Sequence, residues 1–551
     1  GSKDNVTPTP WSNVLANENF GTVVSENGQS YTWFENAHEF RISPWSNDPV
    51  SDLGGEMIYI RDEETGYYWS PMTALKQDAG QYQVRHGFGY SVIEHIDAGI
   101  HTEVWIYVDT EAGIKFNLLN IKNLSNRARK LTVTGYAELV LGDLQAKHAM
   151  FIHTELDSET GALLSKNSYS QEFADRFTFF DTDEVNKVYT FDRTEVIGRN
   201  RNLHNPEAMQ REKLSGKRSI GTDPCVALQS QINIGAGKEY QVVYKLGAGK
   251  NYGEAKETIK RFKGKDVAVQ TLDKVRKYWA DVTGAIQVET PDKALNIMAN
   301  GWLLYQTLAC RMWARSGFYQ SGGAYGFRDQ LQDSMAMLYT KPELTRKQIL
   351  LAASKQFVEG DAMHWWHPPV NRGVRTKCSD DFLWLPFVTA RYLSVTGDDS
   401  IMQEQVRFIE GRQLGPDEES NYDLPNQSNQ VASIYEHCLR AIKHGLRLGE
   451  HGLPLIGTGD WNDGMDQVGK HGKGESVWLA FFVYDILNSF IKIAESRDDV
   501  ATAAMCIAES EKLKDNIDKH AWDGKWYRRA YFDDGTPLGS ESNDECKIDA
   551  I

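Results

Sequence analysis

The chain has 551 residues, more than one hydrophobic core organises, so we expect two or more domains. Its net charge of −16 argues against nucleic acid or an anionic membrane surface as a partner. Six scattered cysteines without a close pair argue against a disulfide framework or a cysteine-based zinc site. They indicate reduced thiols, and we therefore expect a cytoplasmic location.

Residues 1–250 show the pattern of β-strands. Alternating apolar and polar residues recur between turn signals at 56–60, 101–108, 114–121, 130–141 and 239–244. Many strands at short spacing predict an antiparallel β-sandwich. The segment 44–52 breaks this pattern with two prolines, Trp45 and two carboxylates, and is either a loop that reaches a site or a packed surface loop.

The pattern becomes helical after residue 250. Residues 251–287 predict a helical linker, and residues 288–551 predict a second, helical domain. Helices within this domain are predicted near 328–340, 343–357, 381–396, 400–411, 428–448, 474–495 and 498–520. Their short connections favour antiparallel helix pairs.

Residues 457–466 concentrate groups that suit a sugar. They contain three glycines and the carboxylates Asp460, Asp463 and Asp466 beside Trp461. Glycine adopts backbone angles closed to other residues, so the segment predicts a loop of unusual shape. An indole can stack on the apolar face of a sugar while carboxylates bind its hydroxyls or move a proton. The alternative is an ordinary Asp-Gly surface turn.

Two further segments carry acids near the predicted helix starts. Arg328 precedes Asp329 and Asp333, which a helix would place on one face. Arginine presents a planar fork that suits paired hydroxyls or a phosphate. Asp380 and Asp381 suit either a first helical turn or a site. For both segments the alternative is a structural helix start whose acids complement the helix dipole.

Residues 364–369 place two indoles between His364 and His367 and end in two prolines, which excludes a helix interior. The indoles of Trp365 and Trp366 predict an aromatic platform for a sugar. The two histidines lack an accompanying third ligand, so we predict no metal.

Together, the segments around Arg328, His364, Asp381 and Asp463 resemble glycoside hydrolase family 94, the inverting disaccharide phosphorylases. The N-terminal residues 9–17 and 44–52 resemble the branch that contains 1,2-β-oligoglucan phosphorylases and the phosphorylase-like domain of cyclic β-1,2-glucan synthases. The resemblance covers most of the chain in the family's order.

This resemblance implies a multidomain β + α fold with an N-terminal antiparallel β-sandwich, a helical linker and an (α/α)6 catalytic barrel. Periodicity predicts about eight helices where such a barrel needs twelve. The family's pattern continues beyond Ile551, where its phosphate-binding His and Thr lie. We therefore expect a barrel truncated at its C-terminal side, in a chain that continues into a larger synthase or phosphorylase.

The resemblance also assigns roles by position. Asp463 matches the general acid, and Arg315 is a weaker candidate for a phosphate contact. The expected substrate-binding residues are Arg328, Asp329, Asp333, Trp461, Asp460, His364, Trp365, Asp381 and Trp45. Among these, Trp461, Arg328 and Asp333 match residues of the subsite for the transferred glucosyl unit. His364, Trp365 and Trp45 are candidates for the acceptor side.

The implied reaction is phosphorolysis of β-glucooligosaccharides, with β-1,2 linkage expected from the N-terminal resemblance. Phosphate, a co-substrate and not a cofactor, would attack the anomeric carbon opposite the leaving oxygen, so one acid suffices. Asp463 must carry a proton, which repulsion from Asp460 and Asp466 would favour. The expected products are α-glucose 1-phosphate and a shortened glucan.

Two alternatives remain open. An inverting hydrolase would use Asp329 or Asp381 as a base. A non-catalytic carbohydrate-binding domain of a glucan synthase would need no acid. Homodimers occur in the family, so a second copy of the chain is one expected partner. A synthase domain would lie at the cytoplasmic face of the inner membrane.

Overall fold

The computed structural model describes residues 7–73, 82–218, 223–543 and 546–547. The chain divides into two compact units, the first ending at Gly323 and the second beginning at Ala324. The predicted linker, residues 251–287, lies within the first unit and contains two helices.

The described part of the first unit is mainly antiparallel β structure. Its strands are β1 (Ser12–Ala16), β2 (Phe20–Ser25), β3 (Ser30–Phe34), β4 (Glu56–Asp62), β5 (Tyr68–Trp69), β6 (Tyr82–Gly87), β7 (Tyr90–Asp97), β8 (Ile100–Val108), β9 (Ile114–Asn123), β10 (Arg129–Glu138), β11 (Ile152–Leu156), β12 (Leu163–Asn167), β13 (Phe177–Thr182), β14 (Lys187–Asp192), β15 (Pro224–Ile234) and β16 (Glu239–Gly249). They form three sheets, ordered β1-β2-β3, β14-β15-β10-β4-β5 and β11-β12-β13-β16-β9-β8-β7-β6.

The five-stranded and eight-stranded sheets share one hydrophobic core. Alternate side chains of a strand face the same side, so Ile58 and Val133 of one sheet and Leu119 and Val242 of the other are buried together. This packing confirms the predicted sandwich-like N-terminal domain. The helices of this unit are α1 (Gln145–His148), α2 (Arg193–Val196), α3 (Tyr252–Arg261), α4 (Lys265–Thr283), α5 (Lys293–Ile297) and α6 (Leu303–Gln306). Helical π turns at Met298–Trp302 and Thr307–Ala314 continue the last two.

The second unit is mainly helical, as predicted. Its described helices are α7 (Phe327–Ser334), α8 (Pro342–Ala353), α9 (Trp384–Thr396), α10 (Ile434–Gly445), α11 (Val477–Ser496) and α12 (Val500–Asn516). Short strands connect them: β17 (Tyr325–Gly326), β18 (Met363–His367), β19 (Arg372–Thr376), β20 (Gln405–Glu410), β21 (Ser420–Asp423), β22 (Asn426–Ser433), β23 (Glu475–Ser476), β24 (Ala530–Tyr531) and β25 (Pro537–Leu538).

Helix α11 is long and apolar enough to cross a membrane, with a mean hydropathy of 1.5 over its most apolar window. Its residues Leu479, Val483 and Phe490 are nevertheless buried in the core of the helical unit. Core helices of globular domains have the same length and composition, so this property alone does not indicate a membrane span.

Two predicted helices are wrong in part. Residues 405–410 form strand β20, which pairs with β22 in a two-stranded sheet, and helix α10 begins only at Ile434. The side chains of Val406 and Phe408 recur every second residue, which is the period of a strand. Ser433 then caps α10 by accepting a hydrogen bond from the backbone N–H of Glu436.

Candidate active site

The loop 457–466 is held in an unusual backbone shape. Gly457 has φ 63° and Gly459 has φ 153°, both outside the range that other residues favour. A Cβ on Gly457 would lie 2.0 Å from the carbonyl oxygen of Lys377. The backbone N–H of Thr458 donates to that same oxygen at 3.3 Å, and the N–H of Ser379 donates to Gly459 O at 2.9 Å. The loop is therefore joined to the segment before α9.

Asp460 anchors the loop from inside the protein. Its carboxylate is fully buried and accepts hydrogen bonds from Arg529 Nη1 at 2.6 Å and Nη2 at 2.7 Å. Ser476 Oγ donates to the same carboxylate at 2.6 Å, and the backbone N–H of Asn462 donates at 3.1 Å. Both oxygens are thus occupied, so Asp460, predicted as a substrate contact, faces the interior and supports the loop.

Asp463 lies on the open side of the same loop, with 55% of its side chain exposed. Arg328, in the first turn of α7, donates from Nη2 to both Asp463 oxygens, at 2.9 and 3.0 Å. Its Nη1 donates to Asp380 Oδ1 and to the carbonyl oxygen of Asp460, both at 3.1 Å. One buried guanidinium therefore joins α7, the loop and the segment before α9.

A second cation stands beside Asp463. His364 Nδ1 is 2.7 Å from Asp381 Oδ2, and its Nε2 is 4.0 Å from Asp463 Oδ2. Burial lowers the pKa of His364, but the charge and hydrogen bond of Asp381 outweigh burial and raise this pKa to about 11. The imidazole ring is therefore positively charged at neutral pH.

Asp380 is a fully buried acid of the cluster. Burial, together with repulsion from Asp381, raises the pKa of Asp380 to about 7, although Arg328 acts in the opposite direction. Burial also lowers the pKa of Arg328, but the charges of Asp380 and Asp381 outweigh it and raise that pKa. The site thus holds two fixed cations among three carboxyl groups.

Trp461 supplies an open aromatic surface next to these charges. Its side chain is 46% exposed, and its indole Nε1 lies 3.4 Å from Gln332 Oε1. Gln332 follows Arg328 by four residues in α7, so both side chains leave the same face of the helix. One helix face therefore supports both Asp463 and the indole.

The predicted aromatic platform contains one indole and not two. Successive residues of strand β18 point to opposite sides, so Trp366 is fully buried whereas Trp365 is half-buried. The ring of Trp365 packs edge-on against His367 at 5.3 Å and lies 5.7 Å from the ring of Tyr422.

Four predicted residues remain, two on α7 and two in the first unit. Asp329 and Asp333 are half-buried on α7, and the carboxylate of Asp329 packs so close to Gly326 that a Cβ there would lie 2.2 Å from it. In the first unit, Trp45 Nε1 donates to Phe318 O at 2.7 Å. Arg315, also in that unit, ends a helical run with φ 46°.

Three supporting residues were missed by sequence reasoning: Gln332, Asp380 as a buried partner of Arg328, and Arg529. Gln332 had a usable signal, since it follows Arg328 by one helical turn. Arg529 had none, because 69 residues separate it from Asp460. Chemically, the assembled site offers an accessible carboxyl group, two cations and an exposed indole, which can bind a hydroxyl-rich ligand and move a proton.

Comparison with known protein families finds a matching domain for nearly every part of the chain. Residues 2–265 match the glycosyl hydrolase 94 supersandwich domain, and residues 278–551 match the glycosyl hydrolase 94 superfamily catalytic domain. Cyclic β-(1,2)-glucan synthase NdvB of Rhizobium meliloti (strain 1021) is 42% identical over 548 residues, which are 99% of this chain and 19% of the synthase. The chain thus spans about a fifth of that relative.

Two other similarities are more distant. N,N'-diacetylchitobiose phosphorylase of Vibrio proteolyticus is 26% identical over 98% of this chain and 69% of its own length. A bacterial glucoamylase solved with acarbose shares the fold, with a TM-score of 0.53 and 9% identity over 96% of this chain and 71% of its own. From its two matching domains, we conclude that the chain belongs to glycosyl hydrolase family 94.

Proposed function

We propose that the chain catalyses the reversible, inverting phosphorolysis of β-1,2-linked glucooligosaccharides to α-glucose 1-phosphate and a shortened glucan. The observation that carries this proposal is the exposed carboxyl of Asp463, held by Arg328 beside the open indole of Trp461. The 42% identity to a protein named as a cyclic β-(1,2)-glucan synthase supports the linkage, and the named phosphorylase relatives support the reaction.

In the proposed mechanism, Trp461 stacks on the glucosyl unit and Asp463 donates a proton to the glycosidic oxygen. Arg328 Nη2 occupies both oxygens of Asp463, so in this mechanism the carboxyl leaves the ion pair before it donates a proton. Sugar hydroxyls are suitable new partners for the freed guanidinium. Phosphate attacks the anomeric carbon from the opposite face and needs no base, because it is already an anion.

Several further features belong to this proposal. His364 and Trp365 of the second unit are proposed to bind the acceptor. We propose that helices α7–α12 form part of an (α/α)6 barrel. Inorganic phosphate is the co-substrate and no cofactor is required. We also propose a cytoplasmic location, with the chain acting as a homodimer or as a domain of a larger protein.

The reaction is tested by incubating the chain with β-1,2-glucooligosaccharides with and without inorganic phosphate. We expect α-glucose 1-phosphate to form only when phosphate is present, and the reverse reaction to lengthen acceptors. Equal release of reducing sugar in both conditions would instead identify an inverting hydrolase. For that reaction Asp381 is a poor base, because it is 2% exposed and paired with His364.

The role of the acid is tested by Asp463→Asn. A general acid contributes roughly 10²- to 10⁴-fold to rate, so turnover should fall by that factor while oligosaccharide binding, measured by calorimetry, persists. Asp515→Asn is the matched control, because Asp515 is an exposed acid near the end of α12 to which no role in the reaction is assigned. Oligosaccharide binding without turnover in the native chain would favour a non-catalytic carbohydrate-binding domain, and unchanged turnover in Asp463→Asn would contradict the role of Asp463 as the acid.

A further inference from the structure

Three potential metal ligands converge at the mouth of the candidate active site. One ring nitrogen of His364, the thiol sulfur of Cys378 and a carboxylate oxygen of Asp463 all lie within 4.8 Å of one another. They come from separate parts of the second unit: strand β18, the segment after β19 and the loop 457–466. The sequence pattern singled out His364 and Asp463 but not Cys378, and the separation of the three residues along the chain hid their proximity.

The histidine has the support that metal-binding histidines usually have. Its Nδ1 is bound to Asp381 Oδ2 at 2.7 Å, which fixes the ring and leaves Nε2 as the donor. Nε2 already lies 4.0 Å from Asp463 Oδ2. In many metal sites a carboxylate binds one nitrogen of a histidine in this way and thereby orients the other nitrogen towards the metal.

The cysteine is fixed in place beside them. Cys378 is 9% exposed, its backbone bridges to Gly457, and its Sγ lies 3.8 Å from Thr458 Oγ1. Cys378, Ser379 and Gly457 also contribute to the lining of an adjacent pocket.

Donor chemistry and charge both favour a divalent ion here. Sulfur, nitrogen and oxygen donors in a set of three suit Zn²⁺, which keeps a fourth position for water in such sites. Asp380, Asp381 and Asp463 with a Cys378 thiolate supply four negative charges. Arg328 and one Zn²⁺ would supply three positive charges, so the ion would be close to neutralised by its surroundings.

The distances require a small adjustment. Zinc bonds of about 2.0–2.3 Å place tetrahedral ligand atoms roughly 3.3–3.7 Å apart, so the three groups must close by about 1 Å. Asp463 can make this movement, since 55% of its side chain is exposed. It would leave its ion pair with Arg328 in doing so.

We propose that His364, Cys378 and Asp463 form an inhibitory zinc-binding site. Zn²⁺ displaces the thiol proton of Cys378 and the Nε2 proton of His364, both of which pass to solvent, and no electron is transferred. The ion then occupies Asp463, the proposed proton donor, so that zinc binding and proton donation exclude each other. The site itself does not depend on the proposed reaction.

Cobalt binding to the full chain tests the ligands without any need for turnover. We expect Co²⁺ to bind once per chain and to produce the near-ultraviolet absorption of a cobalt–thiolate bond. Cys378→Ser should abolish this absorption and weaken Zn²⁺ binding, measured by competition with a fluorescent chelator, at least tenfold. Cys546→Ser is the matched control and should leave both unchanged.

A second variant guards against a folding defect in Cys378→Ser. Asp463→Asn changes an exposed side chain, and it should weaken Zn²⁺ binding at least tenfold while the melting temperature stays close to that of the native chain. Equal Zn²⁺ affinity in the native chain and Cys378→Ser, or cobalt binding without the thiolate absorption, would overturn the proposal. If phosphorolysis is observed, Zn²⁺ should inhibit it, and Cys378→Ser should resist that inhibition.

Discussion

The guanidinium of Arg328 contacts two carboxylates from different segments, Asp380 and Asp463, and the backbone carbonyl of Asp460. Buried charges are tolerated only when they are paired and hydrogen-bonded, and Arg328 is 8% exposed. The fork geometry of arginine lets two separate nitrogens reach these partners, whereas the donors of a lysine all lie on one nitrogen.

The pairing of His364 with Asp381 predicts a specific pH dependence. The pKa of His364 in the folded chain is about 11, above the value of about 6.5 in an unfolded chain. The pair therefore contributes its full stabilisation below about pH 6.5, and this contribution is lost as the pH rises towards about 11. The difference in free energy of unfolding between the native chain and His364→Gln should shrink over that window.

Denaturant unfolding at several pH values measures this difference. His153→Gln is the control, because His153 is exposed and should give an offset that does not vary in the same way. A difference that increases from neutral to alkaline pH would contradict the ion pair between His364 and Asp381.

At the scale of elements, the sequence pattern predicts helices and strands correctly where the local period of apolar residues agrees with the tertiary contacts. The sandwich-like β domain and the helical second unit follow from period-two and helical patterns. Strand β20 was not predicted, because a short apolar run fits the period of a helix as well as that of a strand. Its pairing partner, β22, is also not adjacent to it in the chain.

The same distinction applies to the site. Arg328, His364, Asp381, Asp463 and Trp461 stood out by residue type, and the structure brings them into one cluster. Long-range packing decides that the side chain of Asp460 faces the interior. It also decides which of the neighbouring indoles, Trp365 or Trp366, is buried. No local pattern contains that information.

The close contact between the loop 457–466 and the segment before α9 predicts that substitution of Gly457 is more damaging than substitution of Gly472. Ala in place of Gly457 or Gly472 places a side chain at φ 63° or 76°, at a cost of about 1–2 kcal/mol each. Only at Gly457 does the new Cβ meet a backbone atom, Lys377 O at 2.0 Å, whereas nothing lies within 4 Å at Gly472.

Gly457→Ala should therefore lower the melting temperature more than Gly472→Ala and should also reduce turnover. Calorimetry and the phosphorolysis assay measure the two effects. Equal losses in both variants would show that backbone strain alone matters and that the contact with Lys377 does not hold the loop.

At the scale of the whole molecule, each unit has its own hydrophobic core. Within the first unit, Lys115 is paired with Glu56 at 2.8 Å, and the two side chains are 1% and 5% exposed. Burial lowers the pKa of Lys115, while the charge of Glu56 opposes this effect. Glu56→Gln would leave a buried cation unpaired, which costs about 3–5 kcal/mol.

Separate cores predict separate unfolding steps. In scanning calorimetry, Glu56→Gln should shift one transition to lower temperature, and Gly457→Ala should shift the other. A single transition that both substitutions move equally would indicate that the chain unfolds as one cooperative unit.

The ion pair between Asp460 and Arg529 also sets an order of events during protein synthesis. The ribosome adds Arg529 69 residues after Asp460, which at about 5–20 residues per second takes roughly 3–14 seconds. Throughout that interval the nascent chain holds an acid destined for burial without its cation. The loop that carries Asp463 therefore reaches its final shape only after residue 529 has left the exit tunnel, and a pause in translation just before that residue would prolong the exposure of the unfinished site.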